Sequence, residues 1–175
     1  MAPFYLSNKY MQEISDACEH YIRIAENYFH RTFERPSVKV NLRGKAAGQA
    51  RLGQAQLRFN RILYEENRGH FIKQTVGHEV AHWIAYCLWG NVRAHGKEWQ
   101  HIMLQVFGLQ PTRLHDYDVS SVQGKTYPYR CNCRHYQLST RRHRAILRGR
   151  YYQCRDCGAM LVAIDDKHHH HLPDK

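Results

Sequence analysis

The sequence predicts an α+β protein: long helices with a small antiparallel sheet, and a compact metal-stabilised module appended. Two long segments carry apolar residues at three- and four-residue spacing. The stretch between them alternates apolar with polar residues, and four cysteines sit in two close pairs near the C-terminal end. A chain of 175 residues has room for one ordinary core and a small appendage, and a hydrophobic share of 43% is too high for a disordered chain.

The first helix is expected from about Asn8 to Phe33. Met11, Ile14, Cys18, Tyr21, Ile22, Ala25, Tyr28 and Phe29 recur on one face, Ser7 or Asn8 can cap its start, and Pro36 stops it. Its aromatic stripe reads as core. From Ser37 to Asn60 the period changes. Val38, Val40 and Leu42 alternate with polar residues, as do Ala55, Leu57 and Phe59, and Gly44, Gly48 and Gly53 mark turns or bulges. Two or three antiparallel strands account for this pattern, and an edge strand among them could pair with an extended peptide. A second helix is expected from about Gly69 to Trp89, with Phe71, Ile72, Val76, Val80, Ile84 and Leu88 on its apolar face and Gly90-Asn91 at its end. A third runs from about Lys97 to Phe107 and is closed by Gly108 and Pro111. Asp116 to Gly124 then reads as a polar linker. These elements form a first domain, residues 1–120. Residues 125–164 form a module too small for an apolar core of its own, and residues 165–175, with the tract His168 to His171, form a flexible tail.

Lys and Arg total 26 against 15 Asp and Glu, and the excess is uneven: Gly124 to Cys157 holds nine basic residues and one acid, whereas Met1 to Gln123 holds 15 and 11. Charge concentrated in so short a segment points to a polyanionic partner, most often nucleic acid; the plainer explanation is a solvated basic surface. No stretch approaches the roughly 20 consecutive apolar residues that a membrane span needs. The opening MAPFYLSNKYMQE lacks the basic-then-apolar order of a secretory signal, so no membrane partner is expected and a cytoplasmic location is the default. Cys18 and Cys87 fall within helical patterns and read as buried free thiols of a reducing compartment.

The strongest chemical signal is His78-Glu79-Val80-Ala81-His82 on the second expected helix. Two histidines four residues apart project from one helix face and can share a zinc ion. Zinc brings the pKa of a bound water to about 7, so a carboxylate such as Glu79 can take its proton at neutral pH and later return it to a leaving amine. The plainer alternative is a set of polar residues on a partly exposed helix. A catalytic zinc needs a third protein ligand and one open position. A third histidine six residues after the second is ruled out, because position 88 is Leu. His95, in the turn between two helices, is the first candidate; Glu98 and His101 on the next helix are second choices.

The stretch HEVAHWIAYCLWGNVRAHGKEW resembles the core of the SprT-like metalloprotease family, which includes the bacterial SprT proteins and eukaryotic Spartan. His95-Gly96-Lys97-Glu98-Trp99 is similar to the His-Gly-x-x-aromatic element that follows the motif helix in that family, and the likeness runs from about residue 8 to 164. The resemblance implies a zincin-like metalloprotease domain in which His78, His82 and His95 ligate the catalytic zinc and Glu79 is the base. It further implies a C-terminal zinc ribbon and DNA-dependent proteolysis, with proteins bound or crosslinked to DNA as substrates.

Cys154-x-x-Cys157-Gly158 reads as a zinc knuckle, with Gly158 allowing the backbone conformation the turn requires. Cys131 and Cys133 supply the second pair at a spacing tighter than usual, which leaves His135 as an alternative ligand and His143 as a remoter one. With aromatic-rich strands around both pairs, the module reads as a zinc ribbon folded by its structural metal. Arg134, Arg141, Arg142, Arg144, Arg148 and Arg150 could neutralise phosphates, while nearby tyrosines could stack on unpaired bases. Tyr151 and Tyr152 are individually claimed first by the ribbon's scant core.

The function expected is therefore a protease with one catalytic and one structural Zn2+. Its partners would be DNA, single strands included, and DNA-bound protein substrates, in the cytoplasm or at the nucleoid of a bacterium. The alternative is a nucleic-acid-binding zinc protein with a regulatory, non-catalytic role, against which an intact Glu79 argues. A zinc hydrolase acting on a small amide is the third reading, and would call for a deep, closed pocket.

Overall fold

The computed structural model describes residues 4–164, so the tail at 165–175 and its His168–His171 tract lie outside the described residues. The chain divides into two compact units between Gln123 and Gly124.

In the first unit, helix α1 spans Phe4–Phe29, and Ile14, Ala17, Cys18, Tyr21, Ile22 and Ala25 bury the stripe that the spacing predicts. The helix begins before Ser7, and it stops ahead of Pro36. His30 takes a left-handed φ of 51°, and the chain turns back because the Glu26 carboxylate accepts the Phe33 N–H and pairs with Arg35. Tyr28, expected in the stripe, is left exposed at the helix end.

Strands β1 (Ser37–Lys39), β2 (Gly48–Arg51) and β3 (Gln56–Phe59) form a sheet in the order β1-β3-β2. The β2–β3 pair is antiparallel as expected, but β1 runs parallel to β3, with Val38 opposite Leu57, so this sheet is mixed. The alternation of Val38, Leu57 and Phe59 fixed which face is buried, and it carries no information on strand direction.

Asn60 caps the next helix with its side chain, accepting the N–H groups of Ile62 and Leu63. This helix, α2 (Arg61–His70), starts eight residues ahead of the expected Gly69 and bends at Asn67. A π-helical stretch, Phe71–Val76, joins it to α3 (Gly77–Trp89), which buries Val80, Ala81, Trp83, Ile84 and Ala85. After a turn, α4 (Lys97–His101) continues as a second π-helical stretch, Ile102–Val106, together covering the expected third helix. Asp116 to Gly124 is not a free linker. Tyr117 stacks on Phe71, its hydroxyl meets Thr75 and His70, and Val119 and Val122 pack on the same core.

In the second unit, β4 (Thr126–Arg130), β5 (His135–Ser139) and β6 (Val162–Ala163) form an antiparallel sheet in the order β5-β4-β6 around Tyr129 and Leu138. The basic run after β5 folds as a helix, α5 (Thr140–Leu147). No helix among the described residues is long and apolar enough to cross a membrane.

Candidate functional site

Helix α3 presents His78 and His82 on one face, one turn apart, as their spacing requires. His95 reaches them from the turn before α4. It adopts a left-handed φ of 57°, a conformation that costs a non-glycine residue about 1 kcal/mol and that aims its ring back at α3. The turn is closed by Gly96 N–H donating to the Arg93 carbonyl at 2.9 Å, and a Cβ at Gly96 would lie 2.9 Å from that same oxygen. The three Nε2 atoms stand 3.2, 3.1 and 3.0 Å apart. Neutral imidazoles cannot satisfy one another in such a triangle, because each ring N–H points to one acceptor only. A cation at the centre uses all three lone pairs, and a tetrahedral zinc with bonds of about 2.0–2.1 Å sets nitrogens about 3.3 Å apart. The observed triangle fits that donor set, whereas Glu98 and His101 fall outside the group.

Electrostatics favour the ligand form. Burial, then the neighbouring imidazoles, holds His78 down at about 4 and His82 at about 3, and burial followed by Arg113 also lowers His95. All three rings stay neutral at pH 7, which metal binding demands. The Thr112 backbone, close to the His78 ring, opposes that lowering in part. Trp99 lies against all three histidines, with ring centroids 4.8, 5.5 and 4.7 Å away, and donates from Nε1 to the His78 carbonyl. Such outer contacts fix ring orientation.

Glu79 is buried beside the triad. Burial pushes its pKa up to about 8, an effect that the nearby Ala50 backbone N–H of β2 only partly offsets. Gly48 provides the room: a Cβ there would lie 2.5 Å from Cγ and Oε1 of Glu79. These groups open onto a cleft of about 810 Å³, bordered by β2 on one side and by the Gln110–Asp116 segment on the other. Gln74 ties that segment down through the Gln110 carbonyl and Thr112, and His115 reaches across to the Lys45 carbonyl. Periodicity missed Gly48, Trp99 and Thr112. Gly48 reads as a turn or bulge until a strand is seen aligned over the motif helix, and Trp99 stands out in the sequence only as the aromatic of the His-Gly-x-x-aromatic element.

In the second unit the structure brings Cys131, Cys133, Cys154 and Cys157 together, their sulfurs all within 4.8 Å of one another. Cys131 and Cys133 are 3.4 Å apart, and Cys133 and Cys154 3.6 Å; four thiolates on a zinc with bonds of about 2.3 Å stand about 3.8 Å apart. The Cys131 sulfur accepts the N–H groups of Cys133 and Arg134, so the short spacing still makes a knuckle. Gly158, at φ 70°, turns the other. The Cys154 thiol is lowered to about 6, first by the Tyr136 hydroxyl that donates to it. His135 is exposed on β5 and outside the group, and His143 stacks on Tyr127 and meets the Tyr129 hydroxyl.

Arg141, Arg142 and Arg144 lie exposed on α5, with Arg148 and Arg150 just beyond it. Arg134 differs from them, being paired with Asp156. Tyr151 does not enter the core; it is 71% exposed, while Tyr152 is half-buried beneath Arg142.

The sequence model of the SprT-like family matches residues 18–115. Protein SprT of Pseudomonas paraeruginosa is 50% identical over 144 residues, covering 80% of this chain and 87% of that one. Protein SprT of Vibrio parahaemolyticus is 48% identical over 137 residues (78% and 83% of the two chains), and that of Actinobacillus succinogenes 46% over 156 residues (89% and 90%). No solved structure gives a significant match. A triad of converging histidines within residues 18–115, and relatives that share half their residues over most of both chains, lead to one conclusion: this chain belongs to the SprT-like family.

Proposed function

We propose that this chain is a zinc-dependent endopeptidase of zincin-like fold that cleaves proteins bound or crosslinked to DNA. His78, His82 and His95 hold the catalytic zinc, and Cys131, Cys133, Cys154 and Cys157 hold a structural one in a nucleic-acid-binding ribbon that follows the catalytic unit. The observation that carries the reading is the buried Glu79 carboxyl, set beside three histidines and open to the cleft. A structural metal site has no use for such a group.

When bound, zinc polarises a carbonyl oxygen and acidifies water. Glu79 supplies the proton traffic. In the metal-free protein burial lifts its carboxyl to about 8, and the charge of a bound zinc would draw it back toward neutral pH, where a group both accepts and releases a proton readily. The proton is taken up at the carboxylate and passed to the leaving amine. The outer edge of β2 is unpaired among the described residues and borders the cleft through Gly48 and Ala50, so an extended peptide adds there as a further strand. An open cleft between a strand and a loop suits a polypeptide better than a small amide.

The exposed arginines of α5, with Arg148, Arg150 and the outward Tyr151, support a nucleic-acid partner, including single strands on whose bases the tyrosine stacks. Tethering to DNA raises the local concentration of DNA-bound substrates, so co-localisation selects them. A DNA partner and six unpaired thiols support a place in the cytoplasm, at the nucleoid of a bacterium. Cleavage of a DNA-bound protein by wild type and by Glu79→Gln, with and without single-stranded DNA, tests the reading. The variant should keep both metals and lose cleavage. Equal activity removes Glu79 from the chemistry, and cleavage indifferent to DNA removes the tether.

A further inference from the structure

The outer face of the first sheet has a composition unlike the rest of its unit. Between Arg35 and Tyr64 the sequence holds seven Lys or Arg residues and no Asp or Glu. Arg35 is taken up by Glu19 and Glu26, and Arg61 by Glu65. That leaves Lys39, Arg43, Lys45, Arg51 and Arg58. Strand alternation turns Val38, Leu57 and Phe59 toward the core and Lys39, Gln49, Arg51, Gln56 and Arg58 outward, and the register lines these up as two rows, Lys39–Arg58–Gln49 and Ser37–Gln56–Arg51.

The two guanidinium groups are held by neutral partners. Arg58 donates to the Asn41 side chain at 2.9 Å and to Gln49 Oε1 at 3.3 Å, and Arg51 donates to the same Gln49 oxygen at 3.3 Å and to Gln54 at 3.4 Å. One amide oxygen thus draws two like charges together, and no carboxylate offsets them. Elsewhere in the unit Arg23, Arg35, Arg61 and Arg68 each face a glutamate. Self-repulsion of that kind is relieved when each guanidinium meets its own phosphate along a strand, and phosphate oxygens match the fork geometry.

The face also selects among polyanions. None of its outward residues is aromatic or large and apolar. It has no apolar anchor for a protein interface, no wedge for a membrane and no aromatic ring on which a base could stack. What remains is contact with a phosphodiester backbone, blind to sequence.

We propose that the outer face of the β1-β3-β2 sheet, through Lys39, Arg51 and Arg58, is a second nucleic-acid-binding surface that holds the phosphate backbone directly against the catalytic unit. It rests on the nucleic-acid partner proposed above and is independent of the cleavage chemistry. A chain with two such surfaces engages DNA at both units, and the catalytic cleft is held to the strand by its own sheet as well as through the ribbon.

The test is binding of the zinc-loaded full chain to short labelled duplex and single-stranded DNA of mixed sequence, followed by anisotropy over a range of salt concentrations. Arg51→Gln/Arg58→Gln should flatten the slope of log affinity against log salt by about 1.8 on duplex and about 1.4 on single strands, since each phosphate contact contributes about 0.9 and about 0.7. The weakening should be the same for every sequence tested. Arg51→Lys/Arg58→Lys, which keeps the charge, should restore the slope. A second variant, Lys39→Gln, should flatten it by about half as much as the double change. An unchanged slope in the folded glutamine variants overturns the proposal. If Arg141→Gln/Arg142→Gln/Arg144→Gln alone removes all salt-dependent binding, the sheet is overturned and the ribbon reading stands. Failure of the wild type to bind DNA overturns both. Binding of polyglutamate with the same variant dependence and equal strength would assign the face to an acidic polypeptide and overturn the nucleic-acid proposal.

Discussion

Replacing Gly48 by alanine perturbs Glu79 without touching any of the proposed metal ligands. The added Cβ would stand 2.5 Å from Cγ and Oε1 of Glu79 and 2.8 Å from Cδ, whereas ordinary contact begins at 3.4 Å. Glu79 is buried and Gly48 is paired with Phe59 in the sheet, so the overlap is relieved by moving either the carboxylate or the strand by about 0.9 Å, the gap between the two distances. A reacting group misplaced by about 1 Å costs on the order of 100-fold in rate, or about 2.7 kcal/mol of barrier. The assay is steady-state cleavage of a DNA-bound protein, alongside metal analysis and thermal unfolding. We expect kcat to carry the loss while both zinc ions remain and the melting temperature changes little. A kcat within about threefold of wild type would refute the argument that Gly48 positions the base, and so would a loss that merely tracks loss of metal.

Other outcomes follow from the same geometry. His95→Ala should lower zinc content from two ions per chain to one and abolish cleavage, which metal analysis after dialysis would show; full retention would exclude His95 as a ligand. Cys154→Ala should remove the other ion and the stimulation by DNA, while cleavage of a DNA-free unfolded protein persists. The pH dependence has a defined sign. In metal-free protein the Glu79 pKa rises from 4.5 to about 8, so its neutral carboxyl contributes stability that is full below 4.5 and is lost as pH rises through 8. Glu79→Gln should flatten that decline. All three tryptophans, Trp83, Trp89 and Trp99, lie in the first unit, so their fluorescence during urea unfolding reports it alone; parallel curves for the two proteins would refute the assignment.

Much of the site was legible because helical spacing is a strong constraint: residues 78 and 82 have no choice but to share a face. His95 was legible from its place in a turn, though its left-handed backbone was not, since only Gly96 beside it hints at a tight bend. The sheet was legible as to which face it buries and not as to direction, because alternation is the same for parallel and antiparallel strands. Helix α2 escaped notice since its start depends on one capping side chain, Asn60, and only Leu63 and Tyr64 along it are buried. Tyr117 shows the opposite limit. A lone aromatic among polar residues looks like a linker until Phe71 and Thr75 are seen beside it.

The indole of Trp99 has a consequence for how the protein acquires its metal. One rigid ring touches every imidazole of the triad while gripping the main chain of the motif helix. The two arms of the site therefore cannot drift apart without unpacking a side chain that is only 1% exposed. An incoming ion meets a finished socket and has little ordering entropy left to overcome. Capture should then be quick and selective for ions content with three nitrogens, and the apoprotein should keep its shape while it waits.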